Sequence, residues 1–263
     1  MFVAHPLRTV HRALELADRG LSATDVARAL RIPRSTARDW LAGLLPTALR
    51  DEARCPVCGE RPHAFGELGE RYAYLLGMYL GDGNLAVHPR GVHKLRVALD
   101  VKYPGIISET RAAIAAVRPR NSVRVRRCAG NWVEVYSYAK AWPCLLPQHG
   151  AGAKHLRPIE LAPWQYRALL EAPEALLRGL IHSDGCRFTN TGRGGWSNPR
   201  YRFDNRSADI RRIFCDTCEL LGVAWTTSGD TIYVSRKADV AKLDVFIGPK
   251  LNRATCRRPA SAS

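Results

Sequence analysis

The stretch "LLRGLIHSDGCR", Leu176 to Arg187, runs apolar through Leu176, Leu177, Leu180 and Ile181 and then stops at Asp184-Gly185. A second stretch of the same shape, "YLLGMYLGDGNL" from Tyr74 to Leu85, stops at Asp82-Gly83. Both predict apolar, buried helices that end in a carboxylate. That end of a helix is the negative end of its dipole, which disfavours each acid by about 0.3–1 kcal/mol. Gly77 and Gly81 lie four apart on one helix, and Gly179 and Ser183 do the same on the other. Small residues at that spacing let two helix backbones come close. Helices packed side by side and pointing the same way bring Asp82 and Asp184 together. Two neighbouring carboxylates repel, and a divalent cation cancels both penalties. Mg²⁺ takes one or two carboxylates and completes its shell with water and phosphate oxygens. Metals so placed can activate a water and stabilise the leaving oxygen of a phosphodiester. A single Asp-Gly usually just caps a turn; two, each closing such a helix, favour the metal reading. Gly83 and Gly185 are expected to leave their helices through positive φ.

The two stretches belong to an internal repeat. After the first comes "VHKLRVALDV" as strand, "YPGIISETRAAIAAV" as helix, "SVRVRRCAGNWVEVYSY" as hairpin and "AKAWPCLLPQ" as short helix. After the second the order recurs with "RYRFDNRS", "ADIRRIFCDTCELLGV", "AWTTSGDTIYVS" and "KADVAKLDVFI". Each half reads αββαββα, and Lys154 and Lys250 close the halves at matching places. The organisation expected is a helix-turn-helix domain over 1–45, a linker over 46–70, repeats over 71–158 and 159–258, and a tail over 259–263.

Two helices of the form "LLGMYLGDG" and "LRGLIHSDG" within a doubled αββαββα unit resemble the LAGLIDADG (dodecapeptide) homing endonucleases. The resemblance covers about 190 residues of the chain. It implies an α+β fold with a pseudo-two-fold axis and a curved, saddle-shaped antiparallel sheet from each half straddling the DNA duplex. It implies two or three Mg²⁺ ions at the motif-helix interface, held by Asp82 and Asp184 with the adjoining Gly81 and Ser183. It gives Lys154 and Lys250 the place of the family's basic residue near each active centre, polarising the scissile phosphate or attacking water; ordinary surface charge is the alternative. The position two before each metal aspartate is often acidic in the family, whereas here it is Leu80 and His182. His182 reads as a buried hydrogen-bonded histidine or a proton carrier. The family's intein setting is also missing: Met1 is no splicing nucleophile and the end lacks His-Asn, so a free-standing protein, or a former homing enzyme reused, is expected.

Charge points the same way. The chain has 40 Lys and Arg against 24 Asp and Glu, a net charge of +16. The excess is spread over all three blocks and favours a polyanionic partner, because each phosphate neutralised releases counterions. Strand alternation sets Lys94 and Arg96 opposite Leu95 and Val97, Arg124 and Arg126 opposite Val123 and Val125, and Arg200 and Arg202 opposite Tyr201 and Phe203. Three such rows suit a DNA-facing sheet better than a half-solvated strand does.

Near the N-terminus, Val10, Leu14 and Ala17 make a helical stripe closed by Gly20, and Ser22 is the candidate N-cap of a second helix. Pro33 opens a third with Trp40 and Leu41 inward. This is a helix-turn-helix pattern, in which Arg34, Ser35, Thr36 and Arg38 face DNA, with a plain three-helix packing module or a protein-docking domain as the alternative. In the linker, Cys55 and Cys58 form one half of a zinc knuckle and His63 is a candidate third ligand; a metal-free turn competes equally. Cys215 and Cys218 repeat the spacing but read as helix residues. Cys128, Cys144, Cys186 and Cys256 stand alone as small core or surface residues.

No apolar run approaches the roughly 20 residues of a membrane span. The start shows no secretory signal, so a cytoplasmic, nucleoid-associated monomer is expected, with double-stranded DNA as partner and no small-molecule substrate. Site-specific Mg²⁺-dependent DNA cleavage is weighed against a non-cleaving transcriptional regulator on the same fold, and an RNA maturase-like role leaves the helix-turn-helix unexplained. A retired nuclease is free to lose Asp82 or Asp184, and neither is lost, which favours cleavage.

Overall fold

The computed structural model describes residues 5–45, 54–60, 63–65, 68–191 and 197–248. Two compact units divide the chain, residues 1–63 and 64–263.

The first unit holds α1 (Leu7–Asp18), α2 (Ala23–Leu30) and α3 (Arg34–Leu41). Ser22 caps α2, its hydroxyl accepting from Asp25 N at 3.3 Å. Arg31, in the left-handed region at φ 53°, turns the chain toward Pro33 and α3. Val10, Ala13, Val26, Ala27, Ile32, Ala37 and Trp40 form the core. The inward stripe of α1 is thus Val10 and Ala13 backed by Leu16, whereas Leu14 and Ala17 of the expected stripe are only half-buried. Cys55 and Cys58 stand on a tight turn of residues 54–60.

The second unit is α+β and doubled. Its first half runs α4 (Gly69–Asp82), β1 (Gly83–His88), β2 (Val92–Asp100), α5 (Pro104–Val117), β3 (Val123–Arg127), β4 (Trp132–Ala139) and α6 (Trp142–Leu145). A short helix absent from the sequence pattern, α7 (Pro163–Glu171), separates the halves. The second runs α8 (Pro173–Asp184), β5 (Gly185–Thr191), β6 (Ser197–Asp204), α9 (Ala208–Leu220), β7 (Thr226–Ser228), β8 (Thr231–Val234) and α10 (Lys237–Phe246). The strands form two antiparallel four-stranded sheets of the same order, β1-β2-β4-β3 and β5-β6-β8-β7. Cys215 and Cys218 lie on α9, where burial pushes both thiols up, Cys215 to about 11.

Helices α4 and α8 are the centre of this unit. Nine consecutive residues of α4, Tyr72 to Leu80, are buried, as are Ala175 to Leu177 and Gly179 to His182 of α8. A helix apolar on every side has to be enclosed by the rest of the fold. The two touch backbone to backbone: a Cβ on Gly77 would lie 2.5 Å from Leu176 O, and one on Gly179 would lie 2.3 Å from Tyr74 O. Polar ties flank this seam. Arg178 on α8 makes a two-pronged ion pair with Glu109 on α5, both bonds 2.8 Å. His182 Nε2 donates to Ile247 O at 3.1 Å, and its Nδ1 lies 3.0 Å from the Tyr74 hydroxyl and 3.8 Å from the Glu109 carboxylate. His182 is thus the buried, hydrogen-bonded histidine of the two readings.

Gly83 and Gly185 do not take positive φ. Both are extended, at φ −88° and −110°, and each opens a strand directly. Glycine is required for space: a Cβ would lie 2.5 Å from Tyr79 Cα at Gly83 and 2.8 Å from Ile181 Cα at Gly185. The strand doubles back against its own helix so sharply that no side chain fits between them.

Candidate active site

Asp82 and Asp184 are the last residues of α4 and α8. The seam that begins at Gly77 continues to this end. A Cβ on Gly81 would lie 2.2 Å from Ser183 Oγ and 2.9 Å from Asp184 Oδ2, so the Asp184 carboxylate rests against the last turn of the partner helix. The Ser183 hydroxyl turns back onto its own helix, 3.0 Å from both Gly179 O and Leu180 O.

An open cleft of about 410 Å³ lies beyond, lined by Gly81, Asn84, Lys154, Asp184, Asn205 and Arg206 among others. A larger groove of about 480 Å³, lined by Leu161, Tyr166, Leu169, Leu170 and Leu220, shares no residue with it.

Lys154 enters the cleft from a 3-10 turn, Lys154–Leu156. Its ammonium donates to the carbonyls of Tyr79, Leu80 (3.0 Å) and Gly81 (2.9 Å). These are orphan acceptors of the α4 C-terminus, and the cation answers both them and the helix dipole. All three ammonium donors are used there. Burial pushes the Lys154 pKa down to about 8, with Asp184 and Asp82 pulling it the other way. Both carboxylates therefore act on one ammonium. Lys250, its expected counterpart, lies outside the described residues.

Asn205, which the sequence did not single out, completes the cluster. Its Nδ2 donates to Asp184 Oδ2 at 2.6 Å, while its Oδ1 accepts from Ser207 N at 2.8 Å. Arg211 donates to its carbonyl at 2.6 Å. The amide is held at both ends and fixes the carboxylate it touches. The only local signal was its place just after β6, opposite the start of β5 where Asp184 ends.

The donors here are mostly hard oxygens that suit a divalent cation: the carboxylates of Asp184 and Asp204, the amides of Asn84 and Asn205 and main-chain carbonyls, with His155 the one imidazole and no thiol among the lining residues. The carboxylate wedged against Gly81, where a Cβ would fill the cradle, is the observation behind that fit.

The basic rows lie where the alternation puts them, with one correction. In β2, Leu95, Val97 and Leu99 are buried while Arg96 is exposed, and β6 buries Tyr201 and Phe203 with Arg202 exposed. Glu134 on β4 sits on the same face as the basic residues, facing Arg126 on β3. Its carboxylate is 1% exposed and pairs with Lys94 at 2.7 Å and Arg126 at 3.0 Å, with Arg96 3.8 Å away. Lys94 is itself 12% exposed and is spent on this acid rather than presented to a ligand. Arg202 pairs with Asp204, Arg200 is half-buried and Arg124 is exposed. The other face of β3 is less covered than expected, with Val125 44% exposed. On α3, Arg34, Ser35 and Arg38 are exposed, Thr36 is half-buried, and Arg38 pairs loosely with Asp39.

Residues 5–45 match the model of the homeodomain-like domain family HTH_23. Among solved structures, the chain is similar to the LAGLIDADG meganuclease I-AabMI bound to uncleaved DNA, at 11% identity over 66% of this chain and 82% of that one, with a TM-score of 0.45. It is similar to the homing endonuclease I-DmoI in complex with DNA and manganese, at 15% identity over 69% and 97% of the two chains, with a TM-score of 0.44. The complex of I-DmoI with DNA and calcium gives 16% identity, 68% and 90% coverage, and a TM-score of 0.45. No curated protein matches the chain by sequence.

Proposed function

We propose that residues 64–263 form a site-specific, Mg²⁺-dependent endonuclease of double-stranded DNA, and that residues 1–63 add a helix-turn-helix contact to the same ligand. One observation carries the reading: Asp184, Asn205 and Lys154 meet in one cleft at the C-terminal seam of two glycine-packed helices, and Asp82 closes the other helix. An open cleft with converging acids, a buried ammonium and a pinned amide is the arrangement expected of a hydrolytic centre.

In this reading Asp82 and Asp184 hold the metal, with Gly81 and Ser183 beside them. When bound, the cation supplies Lewis-acid stabilisation of the phosphodiester and an activated water. Asn205 keeps Asp184 in one orientation. Lys154 holds the last turn of α4, and with it Asp82, and balances the negative charge of the two acids before substrate arrives. Arg96, Arg124, Arg126, Arg200 and Arg202 bind phosphates and base edges, since the arginine fork suits both. Arg34, Ser35, Thr36 and Arg38 read a neighbouring stretch of groove.

The test is a nicking assay with the purified full chain on a randomised duplex library, with Mg²⁺ and with chelator. Cleavage at discrete sequences, abolished by chelator, is the expected result. The match of residues 5–45 to a homeodomain-like family favours a second reading, a sequence-specific regulator that binds without cutting. Tight, sequence-selective binding with no cleavage at any site overturns the nuclease reading in its favour.

A further inference from the structure

We propose that Cys55, Cys58 and His63 hold a structural zinc ion, independent of the carboxylate centre and of whether the chain cuts DNA. The turn that carries the two thiols is closed by its own backbone. Gly59 N donates to Cys55 O at 2.8 Å, and Cys55 N donates to Glu60 O at 2.8 Å. Arg54 braces it from outside, donating to Gly59 O at 2.8 Å. Gly59 sits at φ +69°, the left-handed conformation that lets the chain reverse within so few residues. Both cysteines consequently come to one side, and His63 meets them there.

The spacing is that of a ligand set. Cys58 Sγ lies 3.3 Å from His63 Nε2. The Cys55, Cys58 and His63 ligand atoms all lie within 4.8 Å of one another. Tetrahedral zinc, with Zn–S about 2.3 Å and Zn–N about 2.0–2.1 Å, needs S···N near ~3.5 Å and S···S near ~3.8 Å. The three atoms can meet one ion with little movement. Cys58 is buried and Cys55 and His63 are half-buried, so the site is shielded as a structural centre is. Thiolate and imidazole select zinc, whereas the carboxylates of the cleft select Mg²⁺, so the two centres sort their ions by softness. Among the described residues from 54 to 60 there is neither helix nor strand. A segment that short has no core of its own, and a metal supplies the ordering instead. Structural zinc takes a fourth donor, which X-ray absorption sorts as sulfur or as nitrogen or oxygen.

The experiment uses the full chain purified under reducing conditions from zinc-supplemented medium and passed over a chelating resin. Plasma mass spectrometry is expected to find about one tightly held zinc per chain. Cys58→Ser and His63→Ala should each lose it, while Cys215→Ser, in the helical Cys-x-x-Cys of α9, should keep it. The wild-type chain loaded with Co²⁺ should show the thiolate charge-transfer and strong visible bands of a tetrahedral site. That readout does not depend on whether a variant folds. X-ray absorption at the zinc edge should find at least two sulfurs and one imidazole. A chain that retains no zinc, a pale six-coordinate cobalt spectrum, or zinc kept by the Cys55→Ser/Cys58→Ser double variant would each overturn the proposal. So would a Cys55–Cys58 disulfide in freshly purified protein, which would make the pair a redox couple instead.

Discussion

The Asn205 amide donates to the Asp184 carboxylate at 2.6 Å, from the loop that leaves β6 to the end of the central helix α8. The contact orients an acid that would otherwise be free to turn at the mouth of the cleft. Groups that orient a metal-bound carboxylate are typically worth ~10–100-fold in affinity or activity. Asn205→Ala should therefore slow single-turnover cleavage by about that factor and raise the Mg²⁺ concentration needed for half-maximal rate. DNA affinity should stay within about twofold, because no phosphate contact is lost.

Removing the acids themselves should be more severe. Asp82→Asn and Asp184→Asn keep size and hydrogen bonding but remove charge. Each should abolish cutting in a plasmid-nicking assay while DNA binding, read by fluorescence anisotropy, stays near wild type. Undiminished cleavage by either variant would show that the centre lies elsewhere.

Packing at the seam predicts a stability series. A methyl group on Gly77 or Gly179 meets main-chain atoms at 2.5 and 2.3 Å, which cannot yield without parting the helices. Gly77→Ala and Gly179→Ala should each destabilise by roughly 2–3 kcal/mol or more, read from chemical denaturation. Gly105→Ala is the control. It sits in α5 with nothing within 4 Å of its Cβ position, so it should be neutral or stabilise by about 0.4–1 kcal/mol.

On the basic sheet face, the buried Glu134 separates two kinds of cation. Lys94 is spent on that carboxylate at 2.7 Å, whereas Arg124 on β3 is exposed. Lys94→Met should lower the melting temperature with little change in DNA affinity, because it strands a buried acid. Arg124→Ala should leave stability alone, weaken DNA binding and reduce the slope of log K against log salt by about 1. Equal effects of the two on the salt slope would contradict this division.

Acid stability has a defined origin in the second half. Arg187 bonds the Asp244 carboxylate at 2.7 and 2.8 Å, and the Tyr201 hydroxyl donates to it at 2.6 Å. Arg187 first, then Tyr201, hold this acid below the usual carboxylate range. A depressed folded pKa contributes stability that is present above the unfolded value near ~3.9 and is lost as pH falls through the folded one. Melting curves from pH 6 downward should show a steeper acid limb in wild type than in Asp244→Asn.

The features that the sequence carried openly are those repeated in it. Two all-apolar stretches ending in Asp-Gly have one economical packing solution, and small residues four apart mark the side on which it happens. The doubled order of strands and helices follows the same alternations twice. What stayed hidden depends on distant partners. Glu134, in "WVEVYSY", looks like an ordinary outward-facing strand residue, and only Lys94 and Arg126 on the neighbouring strands make it buried. Asn205 becomes part of the cleft only because β5 and β6 pair so that its loop returns to Asp184. Helix α7 carries polar and aromatic residues without a clean stripe, and its buried Gln165 is satisfied by the Tyr72 hydroxyl and Gln148 far along the chain. Gly83 and Gly185 were recognisable as necessary, but for conformation, when the true constraint is the neighbouring helix atoms.

The bare backbone contact of Gly179 against Tyr74 O also bears on chimera construction. A half taken from this chain and fused to a foreign half will assemble only if the newcomer brings hydrogen, and no larger group, to the crossing point. Grafts chosen by matching the sheets alone will fail at the crossing, whatever their DNA preference, whereas grafts that carry both helices together move freely.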